Sequence, residues 1–164
     1  MEWVTRRGVK LDRCACAWLI LRRIDPQATL LYEEAAAIPQ AVAAGALPFH
    51  NTSTEDPDWG ERTSFELLLA EYNLDQHDPA LVALGDIVRG AELGEEPQPE
   101  SAGLHAITKG ARALARDDVD MVARMLPVFD ALYTYCAARS GGQPEWPAEG
   151  SDEHAAEELA TDGR

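Results

Sequence analysis

Three short β-prone runs alternate with two helical segments in the first fifty residues, and this alternation constrains the fold more than any other feature of the chain. The candidate strands are Trp3-Val4-Thr5, Thr29-Leu30-Leu31-Tyr32, which reads as buried, and Leu47-Pro48-Phe49-His50. After the first, Gly8-Val9-Lys10-Leu11 leads to Asp12, a residue type that predicts an N-cap. Cys14, Ala17, Trp18 and Leu21 then recur at helical spacing over Arg13 to Ile24, until Asp25-Pro26 ends the helix, because the residue before proline leaves the α region. The alanine-rich run Glu34–Ala44, broken only by Pro39, predicts a second helix that stops at Gly45. Strands joined by helical crossovers pair in parallel, so a small, mostly parallel sheet of two or three strands is expected.

The pattern changes after a polar loop, Asn51–Arg62. Thr63-Ser64-Phe65-Glu66 fits a capping box, and Phe65, Leu68, Leu69 and Tyr72 form one apolar stripe. Asp78-Pro79 is a cap followed by proline at the first helical position, opening a helix through Leu84, Ile87, Val88 and Ala91. Glu92–Glu100 reads as a linker, and Ser101 as the cap of a helix with Leu104, Ile107, Ala111 and Leu114 on one side. Asp117-Asp118 introduces the longest helix, marked by Val122, Met125, Leu126, Phe129, Leu132, Tyr133 and Cys136. The fold class is therefore α+β and mainly helical, a small N-terminal sheet followed by a four-helix region. One domain is expected over residues 1–139, with 140–164 as an acidic tail too poor in apolar residues to order.

Fourteen basic residues stand against 29 acidic ones, a net charge of −15 that repels a phosphate backbone, so direct nucleic-acid binding is not expected. The distribution is uneven, since residues 1–25 carry six basic side chains and three acidic ones, and a small anion or anionic small molecule is the expected partner there. No run approaches the roughly 20 apolar residues of a membrane span, and basic residues interrupt any leader-like segment. Three cysteines are an odd number and too few for a secreted disulfide framework, which with the other signs predicts a cytoplasmic protein. Its oligomeric state is left open.

Several residues carry candidate chemistry. Asp12 and Arg13 at the first helix start form a candidate catalytic or anion-binding pair, and Arg13, Arg22 and Arg89 are candidate oxyanion ligands, against the alternatives of an N-cap and a solvated face. Cys16 is a candidate reactive thiol if Arg13 lowers its pKa, and a buried small hydrophobe otherwise. Cys14 points about 200° away from it on a helix, so the two cannot share a metal. His50 with Asp58, Glu61 and Glu66 is a donor set suited to a divalent transition metal, Fe, Mn or Zn, with His77 or His105 as a possible second imidazole. For Glu66 the capping box is an equal claimant. No P-loop, Rossmann fingerprint, G-x-S-x-G elbow or H-E-x-x-H helix is present in the sequence.

The run Val9-Lys10-Leu11-Asp12-Arg13, then Cys16-Ala17-Trp18-Leu19-Ile20 with Arg22-Arg23-Ile24-Asp25-Pro26, resembles the chromate-resistance ChrB family, specifically the C-terminal-type domain that also occurs alone. Ser64–Leu69, Ile87–Glu92, Ala102-Gly103-Leu104 and Phe129–Tyr133 follow in the family's order, so the resemblance covers about residues 3–137. Two positions depart from it: Asp58 stands where many relatives have His, and Thr63 where they have Cys. The resemblance implies a role in chromate or metal-oxyanion stress resistance, sensing or binding an oxyanion or metal. A metal-dependent enzyme acting on a small molecule is the alternative, so whether the protein is an enzyme stays open.

Overall fold

The computed structural model describes residues 1–50, 62–95 and 97–146. Strand β1 (Glu2–Arg6) lies at the centre of a three-stranded sheet, between β2 (Thr29–Glu33) and β3 (Leu47–Pro48), and both pairings are parallel. The chain leaves β1 through α1 (Leu11–Leu19) to reach β2 on one side, then crosses back through α2 (Ile38–Ala43) to reach β3 on the other. The expected parallel sheet is therefore present. Four helices follow: α3 (Ser64–Glu71), α4 (Pro79–Leu93), α5 (Ser101–Leu114) and α6 (Asp118–Arg139). None of the described helices is long and apolar enough to cross a membrane.

All nine residues of α1 are buried, including its two charged ones. Its Trp18 is fully enclosed, with ring centroids 6.5 Å from Phe65 of α3 and 6.3 and 5.5 Å from Phe129 and Tyr133 of α6. The indole Nε1 donates to Asp130 at 2.7 Å, so the largest buried side chain also has its polar atom satisfied. Helix α1 thus packs against α3, α4 and α6 and shares one core with Trp3, Leu30 and Leu47 of the sheet.

The expected caps divide into those with near and those with distant partners. Thr63 and Glu66 form the capping box, Asp78 accepts from Ala80 and Leu81 amides, and Asp117 accepts from the Asp120 amide. Asp12, expected to cap α1, instead lies inside its first turn, and Lys10 is the N-cap without a side-chain bond. Ser101, expected to cap α5, is that helix's first residue, and its hydroxyl donates to the Ile87 carbonyl of α4 at 3.0 Å. Gly90 permits this approach, since a Cβ there would lie 2.7 Å from the Pro97 Cα.

Further differences have local causes. The helical stretch expected over Glu34–Ala44 shortens to Ile38–Ala43, because proline is tolerated in the first turn and Pro39 is placed there. Residues 20–24 widen into a π-helical turn closed by the Asp25 amide on the Ile20 carbonyl at 2.7 Å. Strand β2 is half-buried rather than buried. In α5 the buried side is Ser101, Leu104 and Thr108, whereas Ile107 and Leu114 are exposed. After α6 the chain returns along it, and the Glu145 amide donates to the Tyr133 hydroxyl at 3.0 Å while Trp146 packs edge-on against the Tyr133 ring. The remainder of the expected tail, residues 147–164, lies outside the described residues, as does the expected loop over 51–61.

One buried polar group is left over. Among the described residues Thr5, paired with Tyr32 in the β1–β2 register, has a buried hydroxyl with no hydrogen-bond partner. A buried unmatched hydroxyl forfeits its hydration without replacement. Thr5→Val removes it at constant shape in a β-favouring residue and is expected to raise stability by about 1 kcal/mol, seen as a higher urea midpoint. A lower midpoint would show that the hydroxyl is satisfied in solution.

Candidate functional site

The crossing of the chain from β2 to β3 over β1 makes the space between the ends of β1 and β3 a topological switch point. In open parallel sheets, ligands bind in the crevice outside the carboxyl ends of the strands at such a point. Here those ends supply Arg6 from β1 and, just after β3, Phe49 and His50. The Phe49 amide extends the pairing by donating to the Val4 carbonyl at 3.0 Å. His50 then adopts a left-handed backbone, φ 54°, unusual for a residue with a side chain, which redirects the chain and turns the imidazole toward α1.

At that point His50 meets Asp12. Its Nδ1 is 3.1 Å from Asp12 Oδ2 and within hydrogen-bond reach of the Ser64 hydroxyl. The same carboxylate accepts the Ser64 amide at 2.9 Å on Oδ2 and the Phe65 amide at 3.0 Å on Oδ1. Asp12 therefore caps α3, not its own helix, and with the capping box every amide from Thr63 to Glu66 has a side-chain acceptor. Burial alone would raise the Asp12 pKa, but the hydrogen bond and charge of His50 and the two amides outweigh it and hold the carboxyl below its ordinary value. An ionised Asp12 can only accept, so its contact with His50 is a hydrogen bond in the form of the imidazole that carries a proton on Nδ1. Ser64 and Asp12 both sit at Nδ1, whereas a hydrolytic triad places serine and carboxylate on opposite ring nitrogens, so this constellation does not activate Ser64 as a nucleophile.

Beside this cluster lies a cavity of about 160 Å³ lined by Arg6, Lys10, Asp12, Arg13, His50 and Glu92. Three of these side chains are cationic. The Arg13 guanidinium reaches back to the Arg6, Arg7 and Gly8 carbonyls, at 3.3 Å and 2.8 Å for the last two, and so fixes the β1–α1 loop. Burial and then the neighbouring charge of Arg6 lower its pKa, the mark of two cations held close together. The loop amides of Gly8 and Val9 are taken by Asp118, the first residue of α6, each at 2.9 Å. An internal carboxylate thus occupies the amides with which the loop could hold an external anion.

The sequence-predicted residues separate accordingly. Asp12, Arg13 and His50 come together at one cavity. Arg22 does not join them: it forms a two-point pair with Asp130 at 3.0 and 2.9 Å. Arg89 pairs with Glu66 at 2.9 Å, and Glu66 also serves the capping box, so neither is available in the expected role. Cys16 is fully buried, its thiol pushed well up by burial and by the Asp12 charge, and Cys14 is pushed up to about 12, so neither is the activated thiolate expected of a nucleophile. His105 contacts the Ala91 carbonyl at 3.0 Å. Asp58 and Glu61 lie outside the described residues. Among the described residues no group of three or more His, Cys, Asp or Glu side chains could hold a metal. Lys10 and Arg6 were visible in sequence only as part of the N-terminal basic excess, and Glu92 and Ser64 gave no site signal, because the fold alone brings α4 to the cavity and α3 to Asp12 and His50.

Asp12 is the junction of this arrangement, and its loss is measurable. In Asp12→Asn one oxygen remains for two amides, which is expected to cost about 2 kcal/mol at pH 7. The folded pKa is depressed below the unfolded value of about 3.9, so the carboxylate's stabilisation is complete above that value and is lost as pH falls through the folded one. Urea unfolding should show a constant gap between wild type and variant from neutral pH to about pH 5, narrowing on further acidification. Equal stabilities at pH 7 would refute the capping role.

Comparison with known proteins agrees with this geometry in extent. The family described as "ChrB, C-terminal domain" matches residues 3–136, from β1 to the last turn of α6. Protein ChrB of Cupriavidus metallidurans is 38% identical over 135 residues, which are 82% of this chain and 40% of that protein. The chain therefore spans about two fifths of that relative's length. No solved structure matches the chain. With one family spanning the sheet, the buried helix and all four helices after them, the chain belongs to the ChrB C-terminal domain family.

Proposed function

We propose that this domain binds a small oxyanion in the cavity between β1, β3 and the start of α1, and that chromate is its ligand in metal-oxyanion resistance. Charge pairing carries this reading. Eight arginines, Arg7, Arg22, Arg23, Arg89, Arg112, Arg116, Arg124 and Arg139, form ion pairs with carboxylates. Although acids outnumber bases two to one, five described cations have no such partner among the described residues: Arg13, Arg62 and Lys109, and with them Arg6 and Lys10. Both line the cavity next to Arg13, where a bound dianion would relieve the repulsion between Arg6 and Arg13. The volume is several times the roughly 30 Å³ of a water molecule in the liquid, enough for a tetrahedral oxyanion. His50, its Nδ1 facing Asp12, is a fixed polar wall of this site.

Calorimetric titration tests the reading with chromate and with sulfate as a tetrahedral control. Chromate is expected to bind, and Arg6→Ala and Lys10→Ala should each weaken it about tenfold, the scale of one charge-assisted hydrogen bond. Raising the salt concentration should weaken binding as well. Absence of binding by either anion, or an unchanged affinity in the double variant, would overturn the proposal.

A further inference from the structure

Helix α2 covers a sheet face without burying any of its own residues. The face beneath it is apolar, because the register sets Leu31, Val4 and Pro48 side by side in one row. The alternate row, Leu30, Trp3 and Leu47, faces the main core. A helix over a sheet ordinarily buries its apolar side against it. Here Ile38, Pro39 and Val42 of α2 instead line, with Val4, Pro48 and Phe49, a cavity of about 430 Å³. That volume falls in the range of small-molecule sites. Arg6 and His50 line both this cavity and the charged one. The cleft thus has an apolar compartment and a cationic compartment with a common wall.

We propose that the anion site of this cleft also takes organic anions, the charged end at Arg6 and Lys10 beside Arg13 and the apolar body between α2 and the sheet. The inference rests on the anion reading above and adds the substrate class. A bare tetrahedral oxyanion would use only the smaller cavity and leave the larger one, with its apolar walls, unused. An apolar molecule without charge would leave Arg6 and Lys10 unmatched. Only a ligand carrying both parts matches both compartments.

Isothermal titration with inorganic phosphate, methyl, butyl and hexyl phosphate and 1-hexanol separates the two parts. Affinity should rise about threefold per methylene from methyl to hexyl phosphate. 1-Hexanol should bind at least tenfold more weakly than hexyl phosphate. Val42→Asp and Val42→Trp, at a position 39% exposed and therefore tolerant of change, should abolish the dependence on chain length, read within each variant as the ratio of hexyl phosphate to inorganic phosphate affinity. Equal affinity across the series, with inorganic phosphate still bound, would overturn this inference and leave the oxyanion reading standing. Failure of every phosphate to bind would remove both. Binding of 1-hexanol as tight as hexyl phosphate, or an intact chain-length dependence in both Val42 variants, would also overturn it.

Discussion

A helix buried along its whole length cannot leave an ionised side chain without partners, and α1 carries two in succession, Asp12 and Arg13. Isolated, each would incur a desolvation penalty of several kcal/mol. The structure offsets this by giving the pair opposite tasks. Asp12 accepts the first amides of α3, and Arg13 donates to the carbonyls of the loop that leads into α1. Two backbone segments with orphan groups of opposite polarity are thereby joined through one turn of helix. The third such device is Asp118, which brings the start of α6 onto the Gly8 and Val9 amides. These contacts fix where β1, α1, α3 and α6 meet, and the candidate cavity is the space left at that meeting point.

The same constraint decides what the buried polar groups can do chemically. A carboxylate with two amide donors and an imidazole around it and a depressed pKa stays ionised and fixed at neutral pH. Its contact at 3.1 Å holds the His50 ring in place. Cys16, whose Sγ is 3.9 Å from the same carboxylate, is driven the other way, since a second negative charge there is opposed by both burial and Asp12. Arg6 and Lys10, both exposed, line the charged cavity, and Ile38, Pro39 and Val42 of α2 line the apolar one.

What the sequence made legible was local. Thr63 with Glu66, Asp78 with Pro79, and Asp117 each cap a helix whose amides lie within three residues, and the alternation of short strands with helices implies parallel pairing without knowledge of any contact. Asp12 was misread because its acceptor role is exercised 52 and 53 residues away, where no spacing rule reaches. Arg22 and Arg89 looked like anion ligands because a sequence gives their charge but hides Asp130 and Glu66 opposite them. The α5 stripe failed for a related reason: Ile107 and Leu114 keep helical spacing, yet α4 meets the side bearing Ser101, Leu104 and Thr108. Of the site, the basic excess of the N-terminus was visible and its geometry was not, since the cavity requires the crossing of β2 to β3 that only the strand order reveals.

An acidic protein can still offer an anion a favourable place, because charge acts over a limited range. In physiological salt the screening length is about 8 Å, so most of the 29 acidic groups contribute little to the potential inside one cavity. Many are in addition neutralised where they stand: Asp78 by Arg23, Asp130 by Arg22, Glu66 by Arg89, Glu100 by Arg139. Of the two acids lining the cavity, Asp12 directs its oxygens at the Ser64 and Phe65 amides and at His50, which leaves Glu92 to oppose Arg6, Lys10 and Arg13. The local balance is therefore cationic although the molecule's is not. For a ligand bound there, the excess of negative charge elsewhere would disfavour long polyanions, whose many charges extend well beyond the cavity, while a small anion would meet three cations against the one carboxylate of Glu92.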